Sequence, residues 1–140
     1  MEFAEYCRRM ISDDGIERYQ AGDIPLGYAF KCTYPTYRGC YICNIQKLSI
    51  FVDDVMIPQE NIRFGINGKW FLLSAISDIH TEYWPTGTKA TIRILDDDGI
   101  SPGEHKVRMM MKHKIPYTGY FGNYLVLDAD CEKILSVVEQ

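Results

Sequence analysis

The sequence predicts an all-β fold: an antiparallel β-sandwich, jelly-roll-like, formed by a single domain over residues 1–140. Three observations carry this reading. Short runs with apolar residues at every second position recur at intervals of roughly 8–12 residues. Turn dipeptides separate them, Asn67-Gly68 foremost. Almost no stretch repeats apolar residues at the 3.6-residue period of a buried helix face.

Taken in order, the N-terminal FAEYCRRMI supplies one helical turn. Residues 16–20 and 26–34 flank AGDIP, a Gly- and Pro-containing connection, and so form a hairpin. Residues 45–52 place Ile45, Leu48, Ile50 and Val52 among polar neighbours, and Asp53-Asp54 turns the chain into residues 55–57. Ile62, Phe64 and Ile66 share one face of residues 61–66, and Asn67-Gly68 then leads into residues 69–73. Both central residues of a type I′ turn need positive φ, which Asn and Gly tolerate best. Strands are expected at 78–84 and 89–95 around Pro85-Thr86-Gly87. The loop DDDGISPGEH feeds a long strand over residues 106–115. A further strand follows at residues 124–127, and Asp128-Ala129-Asp130 is expected as a tight turn. The last ten residues fit a strand hairpinned back onto it, although Cys131, Ile134, Leu135 and Val138 also fit a helical face. Ten residues make a marginal helix, which favours the strand.

A chain of 140 residues buries about 68–70% of the surface it exposes when unfolded, enough for one core. With 46% hydrophobic and 24% charged residues, and no run of about 18 apolar residues, a membrane-spanning helix is excluded. The opening residues place acids and an Arg pair ahead of any apolar run, so a cytoplasmic location is expected. Five cysteines, an odd number, fit reduced thiols better than a disulfide framework. The net charge of -4 and the lack of a basic run longer than MKHK argue against nucleic acid.

Chemistry-bearing residues are sparse. Cys40 and Cys43 form a lone C-x-x-C without the second pair that zinc requires or the βαβ setting of a redox site. The three histidines, His80, His105 and His113, lie too far apart in sequence for a local metal motif. His80 is expected to point outward from a strand whose inward face carries Ile79, Thr81 and Tyr83. His105, in a turn entering a strand, either braces that turn or reaches a ligand. Asp96, Asp97 and Asp98 precede Gly99 and lack the alternate spacing of a calcium loop, so they form a solvated turn. Most of the ten tyrosines fall in two clusters, Tyr34–Tyr41 and Tyr117–Tyr124. The first joins three tyrosines with Arg38 and Gly39 between two strands, a combination suited to stacking against a ring or a partner surface.

The ordered set YPTYRG, V-D-D before Val-Met-Ile, NIRFGINGKWF, W-P-T-G-T-K-A-T-I, DDDGISPGEHKV and a strand ending in KIPY resembles the small β subunit of the bacterial C-glycoside deglycosidases over roughly residues 14–128. The sequence departs from the family pattern at Cys40-Tyr41-Ile42-Cys43, where an aliphatic, Ser-containing stretch is usual. The resemblance implies a larger TIM-barrel α subunit as partner, which holds a divalent metal, manganese being the expected ion. It implies 3-oxo-C-glucosides of flavonoids and related polyphenols as substrate. A carbon–carbon glycosidic bond has no leaving oxygen to protonate, so acid-assisted hydrolysis is a poor route. A ketone at sugar C3 acidifies the C2 proton; once a base removes it and the metal stabilises the enediolate, the aryl carbon leaves by β-elimination. On this reading the chain carries no catalytic residue. Tyr37 and Arg38 are its leading contact residues for partner or substrate, followed by Tyr41 and His105. The alternative is a stand-alone carbohydrate- or polyphenol-binding β-sandwich module, and a homo-oligomeric structural domain is a third.

Overall fold

The computed structural model describes residues 4–36, 38–115 and 125–139. Among the described residues a short helix, α1 (Ala4–Arg8), precedes eleven strands: β1 (Glu17–Ala21), β2 (Ile24–Cys32), β3 (Cys40–Tyr41), β4 (Ile45–Val52), β5 (Val55–Met56), β6 (Ile62–Ile66), β7 (Lys69–Leu72), β8 (Tyr83–Trp84), β9 (Ala90–Leu95), β10 (Glu104–Ile115) and β11 (Leu125–Ser136). They form a five-stranded sheet in the order β1-β2-β9-β6-β7, a four-stranded sheet β11-β10-β4-β5, and a ribbon β3-β8. Every ladder is antiparallel, as the sequence predicts for an all-β sandwich.

The two large sheets bury their inward rows in one shared core. Phe30, Phe64, Ile92 and Ile94 line it from the first sheet, and Leu48, Ile50, Met109, Met111 and Ala129 from the second. Burying each such large apolar side chain stabilises by about 1.5–3 kcal/mol. Alternation is complete along β10, where every odd residue from His105 to Ile115 is buried and every even one is not.

The tight turns follow their residue chemistry. Asn67 and Gly68 have φ of 53° and 77°, and Asp53 and Asp54 have 51° and 69°, the paired positive values of a type I′ turn. The first hairpin is tighter than AGDIP suggests. Gly22 alone takes positive φ, 61°, and the ladder closes at Ala21↔Ile24. The chain ends are stitched together across the sandwich: Ile16 N–H donates to Ser136 O at 2.9 Å and Val138 N–H to Ile16 O at 2.8 Å.

Two expectations need correction. No turn interrupts Asp128-Ala129-Asp130: β11 runs straight through, so the tail is the same strand, paired with β10 from Glu104↔Ser136 to Ile115↔Leu125. Its acids Asp128, Asp130 and Glu132 sit on the outer face, while Ala129, Cys131 and Leu135 face in and Lys133, in the same row, reaches Asp13 at 3.0 Å. The expected strand at 78–84 is also not formed. Leu73–Asp78 is a 3-10 helix, burying Leu73 and Ile76 at its three-residue period, and only Tyr83–Trp84 is strand. The parity there is the reverse of that expected, since Glu82 and Trp84 are buried whereas Thr81 and Tyr83 are exposed. His80 is exposed, though from a loop and not a strand.

Candidate functional site

The β3–β8 ribbon exists because two residues alternate on each strand. Cys40 and Trp84 are directly opposite and face the core; Tyr41 and Tyr83 are opposite and face out. The outward rings meet edge-to-face, with centroids 5.2 Å apart and planes at 76°. Both remain well exposed, at 47% and 40%. Edge-to-face packing fixes two amphipathic rings with their hydroxyls in water, an arrangement suited to contact with another surface.

Beneath them the ribbon is bolted to the core. Trp84 is fully buried, donates its indole N–H to Thr88 O at 2.7 Å, and packs edge-on to Phe64 and Tyr34 at 5.3 Å each. Tyr34, first residue of the aromatic loop, is therefore a core residue. Its hydroxyl and His113 Nδ1 share a 3.0 Å hydrogen bond, and the two rings pack edge-to-face at 5.2 Å. Burial pushes the His113 pKa down to about 4, which keeps the imidazole neutral near pH 7. Thr36 is buried as well, its hydroxyl donating to Arg38 O, and Thr86 Oγ1 donates to Thr36 O at 3.3 Å. Gly39 lies so close to β8 that a Cβ there would stand 2.4 Å from Trp84 O. The loop thus has a sunken base, and Arg38 is exposed at its crest. Tyr37 and the second aromatic cluster, residues 117–124, lie outside the described residues.

A polar tether joins the ribbon to the β6–β7 hairpin. The Glu82 carboxylate accepts hydrogen bonds from Lys69 Nζ at 3.0 Å, Thr81 Oγ1 at 2.9 Å and Asn67 Nδ2 at 3.4 Å. These donors, Lys69 first, hold its pKa below the usual carboxylate range. Asn67 Nδ2 also donates to Tyr83 O at 3.1 Å.

His105 stands elsewhere, where the β4–β5 turn meets the loop entering β10. Its Nδ1–H donates to Asp53 Oδ2 at 2.6 Å and its Nε2–H to Ser101 O at 2.7 Å. Two acceptors on one ring favour the imidazolium, so its pKa is raised, chiefly by the Asp53 hydrogen bond; that of Asp53 is lowered by the same bond. Of the two roles the sequence leaves open for His105, this geometry supplies the brace. Asp98 N–H and Gly99 N–H both fold back on Asp96, making the solvated turn expected there.

Among the described residues no two cysteines form a disulfide, and no three His, Cys, Asp or Glu side chains converge as metal ligands. The residues described do not fit a metal ion, and no described helix is long and apolar enough to cross a membrane. Sequence reasoning missed Tyr83 as the outward partner of Tyr41; the signal was the parity of Thr81-Glu82-Tyr83-Trp84, in which burying Trp84 also buries Glu82, an acid that can face inward only because Lys69 and Thr81 pair with it.

Fold and site together define an antiparallel β-sandwich with an exposed aromatic edge at the β3–β8 ribbon. The family model for the C-glycoside deglycosidase beta subunit matches residues 6–117. The chain is 30% identical over 136 residues to the 3'-dehydrocarminate deglycosidase beta subunit of a Microbacterium species, covering 96% of this chain and 97% of that relative. It is 24% identical over 102 residues to the C-glycoside deglycosidase beta subunit of Eubacterium cellulosolvens, covering 72% and 69%. This chain belongs to the C-glycoside deglycosidase beta subunit family.

Proposed function

We propose that the chain is the β subunit of a hetero-oligomeric C-glycoside deglycosidase, working with a larger TIM-barrel α subunit on 3-oxo-C-glucosides of flavonoids and related polyphenols. The family match across residues 6–117 carries the reading. The name of the Microbacterium relative, a 3'-dehydrocarminate deglycosidase beta subunit, supports an oxidised sugar as the target. In this reading the base that removes the C2 proton, and a divalent metal with manganese the expected ion, belong to the α subunit. The aryl carbon leaves with the C1–C bond electrons and takes up a proton as the sugar C1–C2 double bond forms, a carbon–carbon lyase reaction and not a hydrolysis.

What this chain contributes is contact. Tyr41, Tyr83 and Arg38, with Tyr37 beside them in sequence, form the aromatic edge that meets the α subunit or rims its cleft. His105 acts at a distance by holding the turn that ends β4. The test is co-expression with the α subunit, followed by size-exclusion chromatography and assay of aglycone release from a 3-oxo-C-glucoside. Co-elution, and turnover that requires both chains, is the expected result. A monomer that ignores the barrel protein, with turnover unaffected by its omission, overturns the reading and leaves the stand-alone binding module.

A further inference from the structure

Across the outer face of the five-stranded sheet the register sets Arg93 on β9 between Ala29 on β2 and Arg63 on β6. The Arg93 guanidinium lies over two aromatic rings at once, Tyr19 with its centroid 4.0 Å away and Trp70 at 3.9 Å. Gly65 makes this possible: a Cβ there would stand 2.7 Å from the Trp70 ring, so only a bare backbone lets the indole lie flat on the sheet. The rings meet the cation's charge through their quadrupoles but supply no hydrogen-bond acceptor. Arg93 Nε is buried without a partner, and among the described residues no carboxylate pairs with this side chain.

Four other arginines make the contrast. Arg8 and Arg9 meet Glu5, Arg18 meets Glu139, and Arg108 grips Asp130 through two nitrogens at 3.0 and 2.6 Å. On the outer face of the four-stranded sheet, Arg108 pairs with Asp130 and Lys106 with Asp54. The Arg93 face carries Lys31 and Arg63 as well, with Glu17 the acid in the same cross-strand row, and Trp70 and Leu72 are about half exposed beside them. A planar guanidinium, held rigid by aromatic rings and already stripped of water at one nitrogen, pays little ordering cost on taking a carboxylate. Trp, Tyr and Arg are the residue types that dominate interface energetics.

We propose that this face, centred on Arg93 between Tyr19 and Trp70, docks a carboxylate-bearing surface of the larger subunit. The inference rests on the functional reading above, from which it takes the existence of that subunit. The face is continuous with the aromatic edge through the β6–β7 hairpin, whose turn and first residue hold Glu82 and Tyr83. Charge complementarity decides the occupant. A second copy of this acidic chain would bring Arg93, Arg63 and Lys31 against their own counterparts.

The test measures affinity of the purified chain for the α subunit by calorimetry at low and high salt. Arg93→Glu is expected to weaken binding at least about 100-fold and Arg93→Gln about 10-fold or more, each reducing the salt dependence, with the far-ultraviolet spectrum unchanged. Arg93→Glu faces Arg63, which favours folding of the variant. Independently of any variant, hydroxyl-radical footprinting of the wild-type complex is expected to protect Trp70. Wild-type affinity in both Arg93 variants, or equal oxidation of Trp70 in free chain and complex, overturns the docking surface while leaving the subunit assignment standing. Failure of the wild-type chain to bind the α subunit overturns the assignment itself. Self-association through Trp70 would reassign the face to a second copy and also refute the proposal.

Discussion

Replacing Asp53 by Asn separates charge from shape at the β4–β5 turn. Asp53 has φ 51°, a left-handed conformation that Asn tolerates equally, so the turn persists. An amide oxygen can still accept the Lys106 N–H that Asp53 Oδ1 takes at 3.0 Å. What disappears is the anionic acceptor for His105 Nδ1–H, in a side chain only 9% exposed. A hydrogen bond to a charged group contributes about 1.5–3 kcal/mol. Asp53 is half exposed, and solvent screening reduces the expected loss to about 1–1.5 kcal/mol. The pH dependence identifies the cause. The raised pKa of His105 contributes stability that is fully present below its unfolded value of about 6.5 and lost as pH rises through the folded value. The lowered pKa of Asp53 contributes stability present above about 3.9 and lost as pH falls through its folded value. The cost of Asp53→Asn is therefore greatest near pH 5.5 and shrinks toward pH 9. Urea titration followed by tryptophan fluorescence reads it as a midpoint shift of about 0.5 M at the lower pH. An equal shift at both pH values, or none at pH 5.5, refutes the ion-pair brace.

Tyr34→Phe strips His113 of its hydroxyl partner inside the core and is expected to cost about 1–2 kcal/mol in thermal or urea unfolding. Because His113 titrates at about 4 when folded and about 6.5 when unfolded, it removes stability as pH falls between those values, opposing His105; His113→Gln is expected to flatten that acid slope. Gly39→Ala drives a methyl group into the Trp84 carbonyl, where backbone must move. The expected outcome is a loss of at least about 2 kcal/mol and a changed near-ultraviolet signal from Trp84. Tyr41→Ala with Tyr83→Ala removes an exposed aromatic pair, so stability is expected to fall by no more than about 1.5 kcal/mol while affinity for the α subunit falls about 10-fold or more, measured by calorimetry.

The turns were legible because positive φ has a residue signature: Asn67-Gly68 and Asp53-Asp54 announce themselves without reference to the rest of the chain. Long-range pairing does not. Asp128-Ala129-Asp130 reads as a turn by composition, yet its alternation of acid and small residue is an edge strand with its charges outward, one of them taken by Arg108 on the neighbouring strand. Leu73, Ile76 and Ile79 are spaced by three, a 3-10 period that is easily taken for the ragged start of a strand. Tyr34 looked like part of a recognition loop because the partners that bury it, Trp84 and His113, lie 50 and 79 residues away. Arg93 was invisible for the same reason: Tyr19 and Trp70 come from opposite ends of the sheet order and meet over it only after β1, β2, β9, β6 and β7 have assembled.

The long edge strand β11 has a consequence for how such a chain survives alone. Its free side offers a row of amide and carbonyl groups that invites another strand, the usual route to unwanted aggregation. Asp128, Asp130 and Glu132 set like charges along that row, so two copies meeting edge to edge antiparallel would bring acid against acid. The strand thus carries its own gatekeeper charges, which oppose pairing with its double and favour association through faces where the charges differ.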